Sequence, residues 1–360
     1  MRGLLWIALS LLLPGQEFRF NVHELAAELG VVYAVTAADV NGDGKLDIVA
    51  LTGTQLIWFE NPGWRKHVVR ERITAKDHVA VAPSDVDGDG RLDFAVGADW
   101  QPTNTISGGS LHWVKQDGTV YDLATEPTIH RIGWIDVDGD GRNELVVVPL
   151  HGRGTKAPDW TQGPGARILV FRPPKNPAKE PWPMEVADET LHVVHNFIGV
   201  GHEIWVASAE GVYALARSKT GQWSKRLVGE GQPGEIKLGR VRGKRMLATV
   251  EPFHGQIVVV YEEGPAPWQR SVIESAAPQA HALGWADFDG DGSDELVVGW
   301  RGKPWGLALY RFDGRAWHKQ LVDDGVAVED LAVADFDGDG KPEIVAGGRA
   351  TGNLRLYRLP

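Results

Sequence analysis

A nine-residue acidic phrase recurs five times and limits this chain more than any other feature. It reads DVNGDGKLD from Asp39, DVDGDGRLD from Asp85, DVDGDGRNE from Asp136, DFDGDGSDE from Asp287 and DFDGDGKPE from Asp335. Every copy sets oxygen-bearing side chains at positions 1, 3, 5 and 9, with glycine at 4 and 6. A hard cation collects ligands from one tight loop in this way, the glycine at 6 permitting the sharp turn. The expected calcium ligands are Asp39, Asn41, Asp43 and Asp47; Asp85, Asp87, Asp89 and Asp93; Asp136, Asp138, Asp140 and Glu144. Two further sets follow: Asp287, Asp289, Asp291 and Glu295, then Asp335, Asp337, Asp339 and Glu343. An EF-hand would need Glu at position 12 and flanking helices. That position is instead Ala50, Val96, Val147, Val298 or Ala346, inside strand-like runs such as LDIVAL and ELVVVP. The phrase therefore marks a hairpin between two strands, with about five structural Ca²⁺ ions expected.

The copies begin 46, 51, 151 and 48 residues apart, so the long step hides two further units. LGRVRGKRMLATV from Leu238 aligns with IGWIDVDGDGRNELVVV, its loop shortened and stripped of ligands. VVHNFIGVGHEIWVA from Val193 is the other. A second signature, Trp ahead of a strand, keeps the period in GWRKHVV, PWPMEV, QWSKRLV, PWQRSVI and AWHKQLV. Seven units of four short strands predict an all-β, seven-bladed β-propeller, with blades starting near residues 31, 78, 130, 192, 235, 281 and 329. The last unit ends at GNLRLYRLP without a fourth strand, so FRFNVHEL near the N-terminus is expected to close it.

Residues 1–16, MRGLLWIALSLLLPGQ, read as a secretory signal peptide, leaving 17–360 as the propeller. The expected location is secreted or periplasmic in a bacterium. No cysteine is present, which excludes disulfides, thiol nucleophiles and zinc–cysteine sites. No other apolar run is long enough to span a membrane. The net charge of −11 is concentrated in the loops: 19 of the 48 acids sit at ligand positions, leaving 29 against 37 basic residues. No basic run or recognised motif supports nucleic-acid binding.

The five phrases resemble the FG-GAP/VCBS repeat family, whose repeats form integrin-like propellers. That resemblance implies structural calcium in the acidic hairpins and metal-free hairpins in the two units lacking the phrase. It implies a fold and leaves function open.

The acidic hairpins share one face of a propeller, so variable chemistry belongs on the opposite mouth, where each inner strand begins. The residues expected there are Tyr33, His78, His130, His192, Glu235, His281 and Glu329. Four of the twelve histidines thus fall in seven equivalent places. Connections on the same face add Asp99, Trp100 and Asn104, then His151, Arg153 and Trp160 in a long insertion. Glu251 and His254 follow, then Trp300, Arg301 and Trp305, and last Arg349 and Asn353. Histidine with carboxylate makes a divalent-metal or acid–base set, arginine stabilises oxyanions, and exposed tryptophan suits sugar rings. The expected roles are a second divalent metal, Zn²⁺ or another, on His130, His192, Glu235 and His281. Catalysis falls to His78, His151, Glu329, Arg301 and Arg349, and ligand contact to Tyr33, Trp100, Trp160, His254, Trp300 and Trp305. His67 and His318 belong to outer strands, the fourth of their units, and His112 to a third strand, and all three are read as structural.

The stretch from His281 to Tyr357 resembles the propeller domain of the aldos-2-ulose dehydratases. The His281 strand, the Arg301 loop, DDGVAVEDL with Glu329 and GGRATGN with Arg349 carry the likeness. It implies a carbohydrate or keto-sugar ligand and a divalent metal at the mouth. The expected activity is a metal-dependent lyase or dehydratase acting by β-elimination. The alternative is a non-catalytic glycan- or protein-binding module, which would bind saturably and form no product.

Overall fold

The structure, a computed structural model, describes residues 17–360. The expected signal peptide lies outside the described residues. Every regular element is a strand, and the strands form seven antiparallel four-stranded sheets. The seven are the blades of a β-propeller. Strands within a blade are lettered a to d from the axis outward. The seven a strands are Val32–Ala38, Ala80–Ser84, Ile129–Ile135, Asn196–Val200, Glu235–Val241, Ala280–Ala286 and Val328–Ala334. Against the sequence expectation only the fourth start moves appreciably, to Asn196 instead of the neighbourhood of 192.

Strand b lies between neighbouring blades and is buried on both faces, as in Asp47–Thr52, Glu144–Pro149 and Glu343–Gly348. Such strands therefore read as continuous apolar runs instead of alternating ones. Glycine in strand b lets the next blade's first strand approach closely. A Cβ on Gly299 would lie 2.4 Å from Val328, and one on Gly347 would lie 2.6 Å from Val32. The tryptophans ahead of the d strands become wedges: Trp64 meets Phe336, Trp182 meets Trp134, Trp268 meets Trp205 and Trp317 meets Trp285.

The N-terminal strand Asn21–Ala26 supplies strand d of the seventh blade. It runs antiparallel to Leu354–Arg358, in register from Asn21 opposite Arg358 to Glu24 opposite Arg355, and slips by one residue before Ala26 meets Leu354. Arg355 pairs with Glu24 across this junction at 3.1 Å. Just upstream, the Phe18 backbone is bonded both ways to the Gln320 amide of blade six. Closure thus covers an edge that would otherwise present unpaired N–H and C=O groups.

Candidate functional site

The mouth chemistry begins with a defect in the inner strands. In blades one, three, six and seven the a–b pairing slips by one residue, at Tyr33, His130, His281 and Glu329 respectively. A bulge of this kind re-aims the extra side chain, and all four line one cavity of about 500 Å³ at the mouth. In blade four the equivalent residue is His195, just ahead of its strand, whose N–H donates to the Ala207 carbonyl at 3.2 Å.

Three imidazoles converge there. Ring nitrogens of His195, His254 and His281 lie within 4.8 Å of one another. His195 Nδ1 lies 3.0 Å from the Gly234 carbonyl and His281 Nδ1 lies 2.5 Å from the Glu329 carbonyl. A carbonyl only accepts, so both Nδ1 atoms carry the proton and both Nε2 atoms keep a lone pair. His254 Nε2 stands 2.7 Å from His195 Nε2, and Arg301 reaches His254 Nδ1 at 3.0 Å. Burial, then neighbouring His130, holds His195 well below the usual imidazole range. Burial and Arg301 do the same for His281 and take His254 to about 2. Neutral imidazoles whose second nitrogen is anchored to a carbonyl are the usual donors to a divalent transition metal. His195 and His281 fit such an ion, whereas His254, whose Nδ1 accepts from Arg301, carries its proton on Nε2 toward His195 and would join them only by giving that proton up.

Beside the histidines, Glu329 holds two arginines. Its Oε2 accepts from Arg301 at 2.5 Å and its Oε1 from Arg349 at 2.7 Å. Arg349 also lies over the Tyr33 ring, and the Tyr33 hydroxyl donates to Asp77 at 2.9 Å. On the opposite wall Trp100 stacks on His130 and Trp160 on His151. Burial takes His151 down to about 4. Its Nδ1 has no hydrogen-bond partner. His130 lines the cavity too, with both ring nitrogens buried and unpartnered.

Ten sequence-chosen residues thus line the mouth: Tyr33, Trp100, His130, His151, Trp160, His254, His281, Arg301, Glu329 and Arg349. Others do not join them. His78 is one residue out of step, Val79 holding the equivalent place; its Nε2 accepts the Ile73 N–H at 3.0 Å, and burial lowers its pKa to about 4. His192 hydrogen-bonds Glu210 and the Gly163 carbonyl instead of the other histidines. Glu235 turns into the channel, where Asn196 donates to it. Trp300 donates to the Pro304 carbonyl with Lys319 over its ring, and Trp305 lies under Lys303, so neither lines the cavity. His195 was missed. Its blade has no acidic hairpin from which to count back, and the register slid by three residues onto His192.

The acidic hairpins gather carboxylates on the other face. Asp85 with Asp87 and Asp93 forms a tight group, as do Asp136 with Asp138 and Glu144. Blades six and seven bring together Asp287, Asp289 and Asp291, and Asp335, Asp337 and Asp339. The position-9 acids Asp47, Asp93, Glu144, Glu295 and Glu343 are buried. Burial pushes Asp93 up to about 6, Glu343 to about 7 and Glu295 to about 8, with nearby carboxylates adding to the last two. Neither Asp93 oxygen has a hydrogen-bond partner. The two hairpins without the phrase are tied by protein groups. His202 of blade four reaches the Asp136 carbonyl at 2.7 Å; the Arg240 N–H of blade five donates to the Asp294 carboxylate at 2.7 Å, and the Arg240 carbonyl accepts the Asp294 N–H at 2.8 Å.

The FG-GAP-like repeat family matches residues 39–96, 85–147 and 287–346. Those three stretches are FG-GAP-like repeats. Each matched repeat runs from one acidic hairpin into strand b of the following blade. Aldos-2-ulose dehydratase of Phanerodontia chrysosporium is 27% identical over 239 residues, which cover 54% of this chain and 26% of that protein. The chain therefore spans about a quarter of that relative's length. Among solved structures, BBS1N in complex with ARL6DN has a TM-score of 0.60 at 15% identity, over 95% of this chain and 97% of that one. Virginiamycin B lyase from Staphylococcus aureus has a TM-score of 0.59 at 13% identity, over 96% and 100%. At such identities the likeness is one of fold. No helix among the described residues is long and apolar enough to cross a membrane.

Proposed function

We propose that this repeat propeller is a carbon–oxygen lyase that removes water from a keto-sugar by β-elimination at the mouth. His195, His254 and His281 would hold a divalent metal, Zn²⁺ being the best match to three imidazoles. The observation carrying this reading is the convergence of those three neutral rings, two anchored through Nδ1 so that Nε2 faces the cluster. When bound, the ion supplies a Lewis acid for the substrate carbonyl.

The remaining steps fall to side chains. Trp100 and Trp160 flank the sugar ring, whose apolar face suits indole. His151 takes the proton next to the carbonyl; it is neutral, and stacking on Trp160 fixes its plane. The C–H electron pair moves onto the carbonyl oxygen, and Arg301 and Arg349 stabilise the enolate charge. As the pair returns, the β carbon–oxygen bond breaks and the hydroxyl leaves with the proton held by His151. The product is an enone and water. Glu329, with both oxygens engaged by arginine, positions those cations and is not the base. Calcium in the five acidic hairpins would be structural, and a secreted or periplasmic setting supplies that ion.

The test combines metal analysis after calcium-selective chelation with a keto-sugar panel followed by enone absorbance. The expected result is one retained divalent metal, lost in His195→Ala and His281→Ala, and a product lost in His151→Ala. Saturable sugar binding without product, and no retained metal, replaces the lyase with a non-catalytic glycan-binding module.

A further inference from the structure

A second cavity lies on the far side of the bulged inner-strand residues from the mouth. It measures about 270 Å³ and shares no lining residue with the mouth. Its wall runs from Arg131 and Asn196 to Ile135 and Gly199, at the ends of inner strands that lead into the hairpins of blades three and four. The bulges create this division. Tyr33, His130 and Glu329 line the mouth, whereas their immediate successors Ala34, Arg131 and Asp330 line the rear cavity.

The charges around the rear cavity, Arg131 and Lys237 with Asp330 and the buried Glu235, balance in number but are unequally bonded. Arg131, Lys237, Asn196 and Asp330 line it. Asp330 is already engaged, its Oδ2 accepting the Val35 N–H at 2.8 Å. Glu235 takes the Asn196 amide and lies 3.8 Å from the Lys237 ammonium. Arg131 is different. It is 9% exposed, and its Nη2 has no hydrogen-bond partner. It forms no ion pair among the described residues. A buried donor left unmade is costly, more so when charged. Small side chains at Ala34 and Ala80 leave room in front of it.

We propose that this rear cavity binds a small 2-hydroxy carboxylate. The carboxylate accepts from Arg131, whose planar fork matches it, and from Lys237. The 2-hydroxyl donates to the Asp330 carboxylate. A halide offers no donor to Asp330, and a phosphate dianion would meet that carboxylate's repulsion.

Glycolate, with its uncharged amide glycolamide as control, tests this by thermal melting at constant ionic strength. Glycolate should raise Tm saturably because it binds only the folded state, and glycolamide should not. Lys237→Met, half-exposed and so tolerated by the fold, should raise the half-saturating concentration roughly tenfold, about one lost charge-assisted hydrogen bond. Arg131→Met should abolish the response, and Arg349→Met at the mouth should keep it. Any of three results overturns the proposal: no shift with glycolate, an equal shift with chloride, or a response lost in Arg349→Met but retained in Lys237→Met.

Discussion

Glu329 shows how much one side chain can organise. Its carboxylate holds Arg301 and Arg349, while its backbone carbonyl orients His281. Side chain and main chain therefore make separable contributions. Glu329 is 3% and Arg301 11% exposed at the side chain, so removing the acid strands a buried guanidinium. Glu329→Ala should cost about 3 kcal/mol in urea unfolding. Because the carbonyl survives, metal retention should persist in that variant; losing both together would show that the side chain also maintains the histidine cluster. His254 marks the limit of sequence reasoning at this scale. It lies in a connection between strands, 59 residues from the His195 it touches. Nothing local to it foretells that it leaves the wall set and joins two inner-strand histidines.

At the scale of elements, legibility followed the acidic hairpins. Where the acidic phrase stands in blades one, three, six and seven, counting back from its first Asp lands on Tyr33, His130, His281 and Glu329, each at a bulge. Blade two has the phrase yet pairs its first two strands without a slip, and there the count overshoots by one onto His78. Blade four has no phrase, and His192 was taken for His195. A strand's alternation makes such slips costly, since a neighbouring residue faces elsewhere. The insertion between Glu144–Pro149 and Ile168–Phe171 carries Trp160 and is pinned by close backbone packing. A Cβ on Gly152 would sit 1.8 Å from the Pro164 carbonyl oxygen. Gly152→Ala should therefore displace this loop and weaken sugar binding at least tenfold. Thermal stability should fall by no more than a few degrees; unchanged binding would remove the loop from the ligand wall.

At the scale of the whole ring, the buried hairpin acids should make the metal-free protein's stability depend on pH. Asp93, Glu343 and Glu295 are pushed up to about 6, 7 and 8 by burial. Their unfolded values lie near 4, so without cations the folded chain binds more protons across this window. Stability in a calcium chelator should thus fall as pH rises from about 5 to 8. Saturating calcium should flatten that slope, because the ion favours the ionised acids. Chelated protein whose melting temperature is constant over this range would contradict the cation role. The closing strand has a mechanical consequence as well. Asn21 lies opposite Arg358, so a pulling force applied between these two residues meets the ladder at its end. It opens one bonded pair at a time, as a zip does, instead of loading all of them in shear. A ring sealed in this manner resists heat through its blades while yielding readily to tension at its seam.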